Sequence, residues 1–295
     1  MFLSYLLVDT AADPAHPRPG RSWVRNVYRV HQRLCMAFPS AGRKNTDPQF
    51  LAPFAPDDFG IVQTSREALP DRCVPYRTQH VHAPRDGIAN FLFRIDAIAS
   101  PLRARYQQTD EWRPGEPVSM PSRHVIVVQS GIEPDWEYAF HNAREFLCAK
   151  PLVKDSEPRF TVGQKLRFLL RANPTKRLTA KSVDAVGKLI EKWHDKKGKG
   201  RRVGLYTTEQ QEMWLRQQGE GNEGREGKGF RILDVCTESE GNTRTRKGEC
   251  DLALFAVRFD GLLEVTDPDR FHQAILSGIG AGKGFGFGLL SVAPA

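Results

Sequence analysis

MFLSYLLVD (1–9) and NVYRVHQRLCMAF (26–38), joined across a Pro-rich loop from Asp13 to Gly20, open the chain with a strand and a helix. The first run is short and apolar, which predicts a buried strand over about residues 2–8. In the second, Asn26 is an N-cap, Pro39 a stop, and Val27, Val30, Leu34, Ala37 and Phe38 keep helical spacing, so that face is core. Further along, FGIVQT (59–64), FLFRIDA (91–97) and HVIVVQ (124–129) read as strands, residues 134–147 as a second helix, and LRFLLRA (166–172) as a strand with Arg167 and Arg171 on one side. That order is β-α-β-β-α-β with one additional strand, the pattern of a ferredoxin-like unit.

The second half repeats the logic: a strand at VGLYT (203–207), a helix at TEQQEMWLRQQ (208–218) with Met213, Trp214 and Leu215 inward, and strands near 230–236 and 252–259 flanking the polar connection ESEGNTRTRKGE. A helix over 267–277, capped by Asp267 with Pro268 at its first position, leads to a final strand. The expected fold class is therefore α+β, two tandem ferredoxin-like (βαββαβ) domains with a carboxyl-terminal glycine-rich loop. The amino-terminal domain spans 1–178, a basic linker 179–202, and the carboxyl-terminal domain 203–295. No internal repeat shows at the level of residue identity.

At 295 residues and 33.3 kDa, two domains are the expectation. The mean hydropathy of −0.48 and the absence of an apolar run of about 18–20 residues argue against a membrane-spanning protein. The amino terminus lacks the basic flank and cleavage site of a signal peptide. Five irregularly spaced cysteines, none in a CxxC pair, argue against a zinc ribbon or disulfide framework and point to the cytoplasm. His80 and His82 have no Cys or carboxylate cluster beside them, so no metal site is expected. The net charge of +8 disfavours an acidic partner-binding module. Residues 159–202 hold 14 Lys and Arg against three Asp and Glu, so the rest of the chain is mildly acidic. Such a segment is either a solvated surface or a track for a phosphate backbone.

The carboxyl end reads GIGAGKGFGFGLL (278–290), with glycine at six alternating positions around Lys283. Missing Cβ atoms let another chain approach closely, and main-chain N–H groups with one lysine suit phosphate oxygens. No Walker motif is present, and the helix-to-strand order is the reverse of a dinucleotide fingerprint. Tight packing of a glycine-rich hairpin is the structural alternative.

In the form DPxxFxxAIxxGIGxGKGFGFGLLSVAP, this end resembles the CasE family of CRISPR repeat-RNA endoribonucleases of type I-E (Cascade) systems. VYRVHQRLCMAF resembles that family's first helix with its Tyr-x-x-His pair, IEPDW (132–136) the start of its second helix, and VGQKLRFLLRANPTKR (162–177) its Arg-Ala-Asn-Pro strand. The blocks lie in the family's order and cover about a third of the chain.

Tyr28 and His31, three apart on a helix, project together roughly 100° from the apolar stripe. From spacing alone, an edge-packing aromatic for Tyr28 and a solvent-facing histidine for His31 are the favoured readings; the resemblance reverses this for His31, and more weakly for Tyr28, assigning them to catalysis. Cleavage by the ribose 2′-hydroxyl needs a base, an acid for the leaving 5′-oxygen, and donors for the negative phosphorane; histidine suits either proton role. Some members carry a lysine five residues after the histidine. Here that position is Met36, leaving Arg29, Arg33 or Lys283 as substitutes.

The expected RNA contacts are Arg171, Lys176, Arg177, Lys199, Arg201 and Arg202, then Arg244, Arg246 and Lys247 in the hairpin connection, and Gly278, Gly280, Lys283, Gly284 and Gly286 in the loop. The resemblance implies a metal-independent endoribonuclease that binds the CRISPR repeat hairpin, cleaves at the 3′ base of the stem, and stays bound with other Cascade subunits. It implies no cofactor, no membrane and no DNA as direct substrate. The alternative is a non-catalytic RNA-binding subunit of the same superfamily.

Overall fold

The computed structural model describes residues 1–10, 19–38, 90–98, 123–141, 143–177, 202–247 and 250–295. The expected strand at 59–64, the pair His80 and His82, and most of the basic linker, with Lys199 and Arg201, lie outside them. The chain is a mixed α/β protein with two four-stranded sheets and two compact units. One comprises Met1–Glu157, completed by Thr245–Leu252 and Gly284–Gly286; the other comprises Pro158–Arg244, Ala253–Lys283 and Phe287–Ala295.

In the first unit the sheet runs β2 (Phe91–Ile98), β3 (Arg123–Ser130), β1 (Phe2–Asp9), β4 (Leu152–Asp155), every pair antiparallel. Leu6 and Ile95 both face Ile126 in register, and Phe93 faces Val128, so apolar residues line up across three strands. Among the described residues between β1 and β2 are two helices, α1 (Pro19–Arg25) and α2 (Val27–Cys35), and between β3 and β4 are a single turn, α3 (Trp136–Ala139), and a 3₁₀ turn (Arg144–Phe146). Val27, Val30, Leu34, Ala37 and Phe38 are all buried in this core, as their spacing predicted. The helix expected over 134–147 is broken. Asp135 caps one turn through the Tyr138 amide, and the chain then dips to bury Phe140, Ala143 and Phe146, the last stacked 5.1 Å from Trp23.

The second sheet runs β10 (Phe230–Lys247), β11 (Cys250–Val265), β5 (Lys165–Ala172), β12 (Leu290–Pro294). LRFLLRA, read as the closing strand of the first half, is thus the inner strand of the second sheet, paired to β11 and β12. Leu166, Phe168, Leu170 and Ala172 point inward, and Arg167 and Arg171 share the other face as period two required. The strand that closes the first sheet is LVKD, four mostly exposed residues with little apolar signal.

Two short strands, β6 (Thr175–Arg177) and β7 (Arg202–Gly204), pair separately, as do β8 (Gly221–Asn222) and β9 (Arg225–Glu226). Helix α4 (Thr208–Glu220) buries Trp214 and Leu215 but leaves Met213 60% exposed, correcting the expected inward face. Helix α5 (Pro268–Ser277) starts at the Asp267 cap, which accepts from the Arg270 amide at 3.0 Å. The polar stretch 238–247 is not a connection: β10 continues through it to Lys247, and β11 extends past its pairing with β5. Arg244, Arg246 and Lys247 therefore sit on a strand. No helix among the described residues is long and apolar enough to cross a membrane.

Candidate active site

The first turn of α2 is held by a clasp of three hydrogen bonds. The Asn26 side chain accepts from the Arg29 amide at 3.2 Å, satisfying one of the helix's unpaired first-turn donors. Thr245, near the end of β10, accepts from the Tyr28 amide at 3.3 Å and donates its hydroxyl to Asn26 Oδ1 at 3.1 Å. A residue more than 200 positions downstream thus fixes the turn that presents Tyr28. Sequence reading missed Thr245, because a threonine between two arginines carries no local signal of a contact so distant.

On the helix edge the Tyr28 and His31 rings are nearly parallel, 6.3 Å apart, and both are half-buried. Phe91 and Phe93 of β2 lie 5.5 and 6.2 Å from the imidazole, and Phe285 lies 6.1 Å from the Tyr28 ring. The imidazole is thereby walled by aromatic rings. Its Nε2 is 3.5 Å from Cys35 Sγ, one helical turn on. Burial, with a lesser push from Cys35, holds the Tyr28 hydroxyl above the usual phenol range, so it stays protonated near neutrality.

The glycine-rich loop reaches this pair. A Cβ on Gly284 would stand 3.7 Å from His31 Cε1, in ordinary contact, so the backbone here lies against the imidazole. Gly286 has φ +78°, where a side chain is strained, and its Cβ would come 3.3 Å from Phe93 and 3.7 Å from Val27. The structure therefore brings Tyr28, His31, Gly284 and Gly286 together.

The other expected residues divide. Met36 caps the end of α2 and packs against the core. Arg33, one candidate to replace the absent lysine, is 2% exposed and donates to the Ala139 carbonyl at 2.8 Å, so it is a core residue. Arg171 is also tied down: it pairs with Glu240 at 2.5 Å, donates to Thr243 Oγ1 at 3.0 Å and lies over the Phe287 ring. That partly commits donors expected for RNA. Lys176, Arg177 and Arg202 are exposed on the β6–β7 ribbon. Gly278 closes α5, Gly280 lies against Trp214, and Lys283 donates to the Ser277 carbonyl. No three His, Cys, Asp or Glu side chains gather as a metal-binding group among the described residues.

Comparisons with known proteins identify the family. Residues 78–294 match the family model described as CRISPR associated protein. The chain is 36% identical over 176 residues to the CRISPR-associated endoribonuclease Cse3 of Thermus thermophilus, covering 58% of this chain and 73% of that one. It is 31% identical over 150 residues to the CRISPR system Cascade subunit CasE of Escherichia coli, covering 48% and 64%. Among solved structures, Thermus thermophilus Cse3 bound to an RNA representing a pre-cleavage complex superposes with a TM-score of 0.54 at 26% identity, over 99% of this chain and 98% of the other.

Proposed function

The chain belongs to the family of CRISPR-associated proteins, in its Cse3/CasE branch, and on that premise we propose how its residues act. It is an endoribonuclease of CRISPR precursor RNA. It binds the repeat hairpin and cleaves at the 3′ base of the stem. The ribose 2′-oxygen attacks the adjacent phosphorus in line, its proton is removed, the P–O5′ bond breaks, and a proton is delivered to the leaving 5′-oxygen. The products are a 2′,3′-cyclic phosphate and a 5′-hydroxyl. The enzyme then retains the stem as a Cascade subunit, in the cytoplasm.

The observation that carries this reading is the stacked Tyr28–His31 pair against the backbone of Gly284. His31 is the proton-transfer group, and Tyr28, kept as a neutral hydroxyl, orients the 2′-oxygen or a phosphate oxygen by donating to it. Of the three basic substitutes for the absent lysine, Lys283 is held at the Ser277 carbonyl. Arg33 is consumed by the core, and Arg29, next in sequence to Tyr28, points to a different side of the helix. Lys176, Arg177 and Arg202 supply phosphate contacts. An A-form major groove is too narrow for ordinary base reading, so the long β10–β11 hairpin reads phosphates and the distorted stem end.

The sheet orders support the reading of both units as ferredoxin-like. Each runs as the second, third, first and fourth strand of its unit, with helices in both crossovers. The amino-terminal unit then carries the catalytic helix and the carboxyl-terminal unit the RNA-binding elements.

The test is single-turnover cleavage of a repeat hairpin by wild type and His31→Ala, with excess EDTA. His31→Ala is expected to lose about 10²–10⁴-fold in rate with hairpin affinity nearly unchanged. Cleavage retained in His31→Ala refutes the assignment; binding without wild-type cleavage identifies a non-catalytic subunit; abolition by EDTA identifies a metal-dependent nuclease.

A further inference from the structure

Within the second unit a pocket of about 340 Å³ is lined by Arg177, Arg202, Arg225, Lys228 and Lys283, with Thr175, Gln218 and Trp214 completing the wall. Five cations and no carboxylate share this lining. Arg177 and Arg202 stand directly opposite across the β6–β7 ribbon, and like charges so placed destabilise the pairing. Among the described residues no carboxylate pairs with Arg177, Arg202, Arg225 or Lys228.

The loop carrying Arg225 and Lys228 is firmly seated. The Lys228 amide donates to the Gln218 and Gly219 carbonyls at 3.0 and 2.8 Å, and Arg225 donates to Gln218 Oε1 at 3.3 Å. A cation beside the carbonyl end of α4 is favourable on its own account, but one or two would suffice. Lys228 is half-buried, and its pKa is lowered by that burial and then by the charges of Lys283 and Arg225. Accumulating cations around a partly desolvated lysine costs stability, and a bound anion would reverse that.

We propose that this pocket holds an internal phosphodiester of the RNA strand, a proposal that rests on the endoribonuclease reading above and adds Arg225 and Lys228 to its RNA-binding residues. Guanidinium forks grip phosphate oxygens in pairs. The Thr175 hydroxyl and the Gln218 amide are neutral partners for the neighbouring ribose. The volume takes a phosphate and a sugar, not a duplex. With no histidine or carboxylate in the lining, the pocket holds a phosphate rather than cleaving it.

The experiment measures binding of a repeat hairpin, blocked by a 2′-deoxy substitution at the cleavage position, by anisotropy across salt concentration. Lys228→Gln and the exposed-site variant Arg225→Gln are each expected to weaken binding severalfold. Each should also flatten the slope of log K against log salt by about 0.7–0.9, the loss of one phosphate contact. Lys228→Arg restores the slope, and Lys154→Gln, an exposed cation elsewhere, leaves it unchanged. Single methylphosphonates along the RNA should reveal one position that weakens wild type but not Lys228→Gln. Unaltered slopes in both Gln variants, with wild-type cleavage intact, overturn the pocket and leave the nuclease reading standing. Adenosine monophosphate bound in a Lys228-dependent way, with the RNA slope unchanged, identifies a small-nucleotide pocket and also overturns the proposal. Failure of the wild-type chain to cleave any repeat hairpin removes the parent reading instead.

Discussion

Removing the clasp at the start of α2 should damage catalysis through position rather than chemistry. Asn26→Ala deletes the acceptor of the Arg29 amide and of the Thr245 hydroxyl. An N-cap loss of this kind costs about 0.5–2 kcal/mol. Thr245→Val keeps the shape but deletes the acceptor of the Tyr28 amide and the donor to Asn26. Two hydrogen bonds of about 1 kcal/mol each put that loss at roughly 1–2 kcal/mol. Because the two residues share a bond, the double variant should lose less than the sum of the singles, by about 0.5–1.5 kcal/mol. Urea melts of the four proteins give that coupling. Single-turnover cleavage gives the functional counterpart, since fraying of this turn releases Tyr28. A misplacement worth about 1 kcal/mol in the transition state is roughly a fivefold loss in rate. Strictly additive stabilities, or an unchanged cleavage rate in Thr245→Val, would refute the clasp.

Gly286→Ala places a Cβ at φ +78° and 3.3 Å from Phe93, so a stability loss of about 1–2 kcal/mol should accompany slower cleavage; a variant as stable and active as wild type would show that the loop does not need this conformation. His124 has its pKa lowered by burial, with Thr10 Oγ1 2.7 Å from its Nδ1. Its native state resists protonation, so its contribution is fully present above the ordinary histidine pKa and is lost as pH falls through the lower folded value. Urea stability should therefore drop on acidification below about pH 6.5, and the part due to this residue should vanish in His124→Asn. An equal acid loss in both proteins contradicts the assignment.

Local chemistry made part of this molecule readable. The Asn26 cap, the stripe from Val27 to Phe38 and the Asp267-Pro268 start of α5 are decided within one or two turns, and the structure keeps them. Strand partnership is not local. LRFLLRA was legible as a strand, but nothing within it says which sheet it joins; β11 and β12, which claim it, begin more than 75 residues later. LVKD is too short and too exposed to announce the edge it closes. The stretch 238–247 reads as loop because its residues are polar, yet a hairpin extending past the pairing with β5 has no core face to bury. The proposed pair Tyr28 and His31 is legible because both lie on one helix, three residues apart. The ion pair of Arg171 was not legible because its partner, Glu240, is 69 residues away. Arg225 and Lys228 were invisible because Glu220, Glu223 and Glu226 surround them in sequence and cancel their charge on paper, although none of those carboxylates lines the pocket.

The two sheets share one strand order without sharing a sequence pattern, and the differences between the units fall where function is proposed. In the first unit the crossover from the second helix to the edge strand is short, running from Leu147 to Pro151. In the second the equivalent link, residues 279–289, carries the glycines that let backbone lie against His31 and turn at Gly286. The hairpin shows the same contrast: β10 and β11 run 18 and 16 residues, twice the length of β2 and β3. Both embellishments send a few residues, Thr245–Leu252 and Gly284–Gly286, to complete the unit that bears Tyr28 and His31. A topology set only by apolar periodicity tolerates such additions, because neither removes a core residue from the strands that carry it. On the proposed reading, catalysis is coupled to the carboxyl-terminal half of the chain by geometry, through Thr245 on the helix cap and Gly284 on the imidazole.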